Sequence, residues 1–72
     1  MESVTIQGLA RLAMEGHIQT IRFASDGRTA VIKYYVGTNS DRMLVEKRIT
    51  PATGPDGIDQ YDVRFLKLQN SY

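Results

Sequence analysis

Apolar and polar residues alternate over much of this chain, and the pattern is clearest on either side of one tight turn. Two runs rich in Ile, Val, Thr, Phe and Tyr, residues 18–24 and 28–36, flank Ser25-Asp26-Gly27-Arg28. Asp-Gly between β-prone runs is a strong hairpin signal, because glycine adopts positive φ without steric cost and aspartate tolerates it. The pattern therefore predicts a β-hairpin whose strands are these two runs.

Ahead of the hairpin, apolar residues recur at intervals of three and four, the spacing of one helix face. This predicts a helix over residues 5–15, with Ser3 or Thr5 as a cap at its start and Gly16 at its end. Gly8 is its weak point, since glycine inside a helix costs about 1 kcal/mol relative to alanine. A short strand over residues 3–7, followed by a helix from near Gly8, is the alternative. The apolar stripe consists of Ile6, Leu9, Ala10, Leu12 and Ala13.

Beyond the hairpin the pattern predicts two more strands. Residues 37–41 have the composition of a loop, and residues 42–50 alternate as a third strand does. Residues 51–57 contain two prolines and two glycines, which predicts an irregular and flexible loop. Residues 58–68 alternate again and predict a fourth strand, with a short helix as the alternative for its later half. Residues 69–72 are expected to fray.

The alternation also assigns each strand residue to one face of the sheet. The face that carries Lys33 is the more polar, so we expect the opposite face to be buried under the helix and the Lys33 face to stay open. Short connections favour pairing between neighbours in sequence. The predicted fold is one α+β domain over residues 1–72, an N-terminal helix packed on one face of a four-stranded antiparallel β-meander. The buried face is assigned Ile21, Phe23, Ala30, Ile32, Tyr34, Val36, Met43, Val45, Ile49, Tyr61, Val63 and Phe65.

The amino-acid composition limits the classes of function that this chain can have. The chain has 72 residues, and nine basic and eight acidic side chains give a net charge of +1. A balance this close argues against affinity driven by global charge. There is no cysteine, which excludes disulfides and thiolate metal sites and favours a reducing compartment. Residues 1–16 lack the pattern of a signal peptide, and no stretch approaches the roughly 20 apolar residues of a membrane span. We expect a cytoplasmic protein without a membrane partner.

Groups that could support catalysis or bind a metal are sparse and scattered along the sequence. His17 is the only histidine, and no serine has the G-x-S-x-G context of a nucleophile. Asp56, Asp59 and Asp62 would share one face of a helix, but on a strand Asp59 and Asp62 point to opposite faces. The turn at residues 54–57 precedes a β-prone run and not the helix that a phosphate loop needs. We therefore expect no enzyme activity, catalytic residue, cofactor or metal ion.

The uncovered sheet face is predicted to carry an apolar excess, from Val31, Tyr35, Leu44, Leu66 and Leu68. Exposed apolar surface ringed by charge marks an interaction site, and tyrosine and arginine are favoured at interface centres. We expect a small non-enzymatic regulatory binding protein that docks on a larger protein, by this face or by an edge strand, and modulates or inhibits it. Such a build is typical of phage and mobile-element proteins that act on host machinery such as transcription. The predicted contacts are Tyr35, Leu44, Arg48, Arg64 and Leu66.

The alternative is a nucleic-acid-binding module that uses a basic and aromatic sheet face, since such a face can hold phosphates and stack unpaired bases. Glu46 and Asp62 alternate into the same predicted face, and this mixed charge is typical of an ordinary solvated sheet. Self-association through the sheet edges is a third hypothesis, and the sequence leaves the oligomeric state open. The nucleic-acid contacts would be Lys33, Tyr35, Arg42, Arg48 and Arg64.

Overall fold

The computed structural model describes residues 3–67 and has the predicted α+β class. Among these residues it has one α-helix, two three-stranded antiparallel sheets and one 3-10 turn. One sheet has the strand order β2-β3-β4 and the other has the order β1-β6-β5. The elements are β1 (Ser3–Val4), α1 (Ile6–Met14), β2 (Thr20–Phe23), β3 (Ala30–Val36), β4 (Met43–Ile49), β5 (Ala52–Thr53), β6 (Asp59–Asp62) and the 3-10 turn (Arg64–Leu66).

The predicted hairpin is confirmed, and its turn is held by one carboxylate. Strands β2 and β3 pair antiparallel with Phe23 opposite Ala30. Asp26 Oδ1 accepts hydrogen bonds of 2.8 Å from the backbone N–H groups of both Arg28 and Thr29, and the Thr29 hydroxyl donates to Asp26 Oδ2 at 2.6 Å. Gly27 has a φ of 72°, the left-handed conformation for which glycine was expected at this position.

The N-terminal segment combines the two predicted alternatives. A helix of nearly the predicted length begins after Thr5, whose hydroxyl accepts from the Gly8 N–H as its cap, and Gly16 follows its end with a φ of 89°. A short strand, β1, precedes that helix. Gly8 is explained by close packing, because a Cβ atom there would lie 2.6 Å from the Cβ atom of Val4. A helix start can lie this close to the strand before it only if the side chain is absent.

The prediction of a four-stranded meander is wrong for the last strand. Strands β2, β3 and β4 pair in sequence order as predicted, but β6 pairs with β1 and β5 instead of β4. The predicted strand over residues 58–68 ends at Asp62, and a 3-10 turn replaces its later half, as the helical alternative anticipated. The chain bends there because Asp62 Oδ1 accepts the Arg64 backbone N–H at 3.0 Å, which stabilises a local turn in competition with sheet pairing.

The predicted irregular loop over residues 51–57 also contains regular pairing. Ala52 and Thr53 form β5 and pair with Gln60 and Asp59 of β6. Asp56 Oδ1 accepts the Ile58 N–H at 3.0 Å and so closes the turn between the two strands. The two prolines and two glycines therefore belong to a small hairpin and its entrance.

The core lies between α1 and the inner face of the β2-β3-β4 sheet, and β6 closes one side of it. The inward assignment is confirmed for five residues that are buried in the core: Ala30, Ile32, Ile49, Tyr61 and Val63. The hairpin turn is joined to β6 because the Tyr61 hydroxyl donates to the Arg28 carbonyl oxygen at 2.6 Å. Phe23, Val36 and Met43 occupy the same face by register but are exposed. The buried core residues are Leu9, Leu12, Ile18, Ala30, Ile32, Ile49, Tyr61 and Val63.

One residue of the outer sheet face is buried, contrary to the expectation that this face is open throughout. Val31 faces away from the core cluster and is only 2% exposed. Its direct cross-strand neighbours are Arg22 and Arg48, and the aliphatic stems of two arginines are long enough to cover a valine between them. Val31 therefore cannot be a contact residue.

No helix among residues 3–67 has the length and apolar character needed to cross a membrane. The predicted frayed tail at residues 69–72, and Leu68 of the predicted apolar face, lie outside the described residues.

Candidate functional site

The register of β2, β3 and β4 gathers one group of side chains on the outer face of their sheet. Lys33 lies between Thr20 on β2 and Glu46 on β4, while Tyr35 lies opposite Leu44. Because cross-strand partners share a face, these side chains form one continuous surface with the two arginines that flank Val31. We call it the outer patch, and it consists of Thr20, Arg22, Lys33, Tyr35, Arg42, Leu44, Glu46 and Arg48.

Tyr35 and Leu44 form the apolar centre of the outer patch. They are direct cross-strand partners, and their exposed fractions are 42% and 43%. The guanidinium carbon of Arg42 lies 4.0 Å from the centroid of the Tyr35 ring. A cation over an aromatic face at this distance is attracted by the ring quadrupole, so the contact holds both side chains in place without burying either. The centre is thus partly ordered before any partner binds.

The outer patch is basic although the whole chain is nearly neutral. It carries four of the nine basic residues, Arg22, Lys33, Arg42 and Arg48, but only one of the eight acidic residues, Glu46. The ion pairs found within residues 3–67 are His17 with Glu15, Arg28 with Asp59 and Arg64 with Asp62. None of them involves the outer patch, so its cations are available to attract an anionic group.

Three of the five predicted protein contacts come together on this surface. Tyr35, Leu44 and Arg48 belong to the outer patch, but Arg64 and Leu66 do not. Both were assigned to the outer face as part of a fourth strand of the meander, and they lie instead in the 3-10 turn. Arg64 forms a bidentate pair with Asp62, with its Nη2 at 2.6 Å from Oδ2, while Leu66 packs against the core cluster.

More of the predicted nucleic-acid contacts than of the predicted protein contacts lie in the outer patch. Four of its five residues, Lys33, Tyr35, Arg42 and Arg48, lie in the outer patch, and only Arg64 is elsewhere. The carboxylate of Asp62, which was expected to oppose this basic surface, lies on β6 and belongs to the other sheet. Asp62 nevertheless lines a pocket beside β4 together with Arg48 and Arg64, so its carboxylate stays close to one end of the basic surface.

Arg22 is the outer-patch residue that sequence reasoning missed. The signal was present, because alternation along the first hairpin strand placed Ile21 and Phe23 inward and so pointed Arg22 outward. The basic residues predicted as contacts came only from the strands that follow the hairpin turn. The register places Arg22 two strands from Arg48, on the far side of Val31.

Each of the three aspartates that might have formed a metal site has its own partner. Asp59 accepts from Arg28 Nε at 3.0 Å, and this guanidinium, followed by the Thr53 hydroxyl, lowers the pKa of the carboxyl. Hydrogen bonds from Arg64 likewise lower the pKa of Asp62. Asp56 closes the β5-β6 turn. No group of three or more His, Cys, Asp or Glu side chains in the described part of the chain could hold a metal ion.

Comparison of the chain with protein-family models, with curated proteins and with solved structures finds no match.

Proposed function

We propose that this chain is a small non-enzymatic regulatory protein that docks on a larger protein through the outer patch. The observation that carries the proposal is the Tyr35–Leu44 pair, an exposed apolar centre flanked on the same face by Arg42 and by the Lys33–Glu46 pair, with Arg48 further along β4. Interfaces concentrate their binding energy in such a centre, with tyrosine and arginine prominent, and a polar rim excludes water around it.

Charge complementarity supports a partner with an acidic surface. Four cations against one carboxylate make the outer patch positive, and complementary potentials raise the association rate and select the partner. The β4 strand also lies at the edge of its sheet, since no strand within residues 3–67 pairs with its second side. An extended partner segment placed there would gain main-chain hydrogen bonds.

Modulation by docking alone needs no cofactor. The partner would be inhibited by steric exclusion or held in one of its conformations by preferential binding. We include in the proposal a cytoplasmic site of action, which the cysteine-free composition favours, and host machinery such as the transcription apparatus as the target class.

Adjacent residues of β4 supply a matched test. Leu44 belongs to the outer patch. Its chain neighbour Met43 is 65% exposed and lies on the other face of the sheet, where it pairs with Val36. In affinity capture from the native source, a specific protein should be retained by the wild-type chain and by Met43→Ala, and lost with Leu44→Ala. Equal retention by both variants would contradict the assignment of the surface.

Nucleic-acid binding is the second candidate, and the gathering of Lys33, Tyr35, Arg42 and Arg48 on one face favours it. Arginine and lysine would hold phosphates, and the Tyr35–Arg42 stack would offer a planar surface to an unpaired base. Gel shifts with single- and double-stranded DNA and RNA at low and high salt would separate the two functions. Phosphate contacts make affinity fall steeply with salt, whereas capture of a protein partner should survive nuclease treatment.

A further inference from the structure

A cavity of about 450 Å³ lies at the end of the β2-β3-β4 sheet that is far from the hairpin turn. Three segments meet around it: the C-terminal end of α1 at Gly16 and His17, the turn between β3 and β4 at Gly37, and the 3-10 turn that ends at Lys67. Its volume is within the range of roughly 300–1,000 Å³ that is usual for small-molecule sites. The outer patch borders it only through Tyr35 and Arg42.

The polar side chains of the cavity select a negatively charged ligand. His17, Arg42 and Lys67 all line it, and no aspartate or glutamate is found among its described lining residues. A guanidinium binds phosphate oxygens in a bidentate manner, and an ammonium binds them as a point charge. Three residues with basic side chains, from three separate segments, therefore line one space. The Glu15 carboxylate lies 3.6 Å from the His17 ring, so the positive charge of the site depends mainly on Arg42 and Lys67.

The apolar part of the cavity is aromatic. Tyr34 and Phe65 both line it, and their ring centroids lie 5.0 Å apart with a 53° angle between the ring planes. Each residue is only partly buried, so the pair packs against the core and still presents ring surface to the cavity. Aromatic side chains bind flat heterocycles by stacking, whichever base is present.

The backbone at the lip of the cavity is strained. Lys67 has a φ of 51° and a ψ of 47°, and it is the one residue other than glycine with positive φ in the described part of the chain. Such a conformation is unfavourable for a residue with a Cβ atom and tends to occur where it positions a functional group. Here it places a lysine, and not the usual glycine, directly at the cavity.

We propose that this cavity binds a nucleoside phosphate, with the base against Tyr34 and Phe65 and the phosphate held by His17, Arg42 and Lys67. The ligand is either a free mononucleotide or one nucleotide of a single strand, since both present the same base and phosphate. The inference shares Arg42 with the docking proposal, but its other defining residues, Tyr34, Phe65 and Lys67, lie outside the outer patch.

The test is a titration of the ¹⁵N-labelled full chain with AMP, GMP, CMP and UMP, followed by amide NMR. Glycine amides report the location, because Gly16 and Gly37 line the cavity whereas Gly27 and Gly57 do not. We expect saturable shifts at Gly16, Gly37 and Lys67, and none at the two remote glycines. Adenosine and inorganic phosphate, titrated separately, should each bind more weakly than AMP.

Two variants distinguish binding of AMP in a specific site from nonspecific attraction by positive charge. Lys67→Gln should weaken AMP binding about tenfold, the loss of one charge-assisted hydrogen bond. Arg11→Gln, which removes an exposed cation outside both the cavity and the outer patch, should leave that binding unchanged. Leu44→Ala should also leave it unchanged, so failure of the docking proposal and failure of this one are distinguishable. Thermal unfolding confirms that each variant is folded.

The remaining outcomes either identify the source of the bound nucleotide or contradict the proposed site. Shifts of the same amides with a short single-stranded oligonucleotide, but not with mononucleotides, would assign the ligand to a strand. Absence of saturable shifts with every nucleotide and oligonucleotide would overturn the proposal. So would equal weakening by Lys67→Gln and Arg11→Gln, or equal binding of adenosine and AMP, because either result removes the role of the phosphate contacts.

Discussion

The two halves of β3 belong to one continuous strand but have opposite environments. Ala30, Val31 and Ile32, in the first half, are all buried, although they alternate between the two faces of the sheet. Tyr35 and Val36, in the second half, also point to opposite faces, and both are about two-fifths exposed. Burial along this strand therefore depends on position along its length more than on which face a side chain occupies.

The difference arises from what the rest of the chain places beside each half. The first half lies among core residues of α1 and β6, and Tyr61 links β6 to the turn by its hydrogen bond to the Arg28 carbonyl. On the outer face, Arg22 and Arg48 flank Val31. The second half borders the cavity and the apolar centre of the outer patch. The first half therefore holds the fold together, whereas the second half leaves side chains exposed to solvent.

The largest difference is expected between substitutions of one inward-facing residue in each half of β3. Ile32→Ala removes a side chain with no exposure and should cost about 2–5 kcal/mol of unfolding free energy. Val36→Ala, on the same face, should cost less than about 1 kcal/mol, because about two-fifths of the wild-type residue is already exposed. Urea unfolding of both variants measures these losses.

A domain of this size has a thin stability margin, so Ile32→Ala can fail to fold. Ile32→Val is then the informative variant, with an expected loss of about 0.5–1.5 kcal/mol. Equal losses for replacements at positions 32 and 36 would contradict the division of β3 into a buried and an exposed half.

The next test removes one hydroxyl group on β6, beside the buried half of β3, and one hydroxyl group from the exposed half. Tyr61→Phe deletes the donor to the Arg28 carbonyl and leaves that oxygen without this partner, which should cost about 1–3 kcal/mol. Tyr35→Phe, in the exposed half, should leave the unfolding free energy almost unchanged. A larger loss at Tyr35 than at Tyr61 would mean that the exposed half supports the fold.

Acid should weaken the turn that closes the buried half. Hydrogen bonds from the Thr29 side chain and from the backbone of Arg28 and Thr29 lower the pKa of Asp26 from 3.8 to about 2. Because the folded pKa is below the unfolded one, this contribution to stability is present above about pH 4 and is lost as the pH falls toward 2.

Urea midpoints measured over that range should fall more steeply for the wild-type chain than for Asp26→Asn. Some pH dependence will remain in the variant, since the pKa values of Asp59 and Asp62 are also lowered. Identical pH profiles for the two chains would contradict the assigned role of the Asp26 carboxylate.

The smallest effect is expected at the exposed ion pair between Arg28 and Asp59. Its atoms Nε and Oδ2 are 3.0 Å apart, and the pair joins the hairpin turn to β6 at the surface. Exposed pairs contribute little and are screened by salt. Asp59→Asn should therefore destabilise less than Tyr61→Phe does, and the difference from the wild-type chain should shrink in high salt.

Local signals predicted much of this fold from the sequence. The Asp26-Gly27 turn, the helix with its Thr5 cap and the pairing of β2, β3 and β4 each depend on a few neighbouring residues. The pairing of β1 with β6 depends on residues about sixty positions apart, and two-residue strands such as β1 and β5 are too short to show alternation. Sequence reasoning therefore extended the meander where the chain in fact returned to its beginning.

The candidate site was predictable to the same extent. Tyr35, Leu44 and Arg48 lie on one face of the sheet, as expected, because their positions follow from alternation within neighbouring strands. Their role as contacts stays a prediction. Arg64 and Leu66 were misplaced because the Asp62 side chain stabilises a turn where alternation indicated a strand. The cavity was not predicted at all, since it depends on the meeting of three segments that are distant in sequence.

The outer patch is tested most directly by photocrosslinking from two adjacent positions of β4. A benzophenone side chain is placed at Leu44 in one chain and at Met43 in another, and each chain is irradiated in the native cell extract after nuclease treatment. The account predicts a discrete protein adduct from position 44 and little or none from position 43. Adducts of equal yield from both positions, or an adduct from position 43 alone, would contradict it.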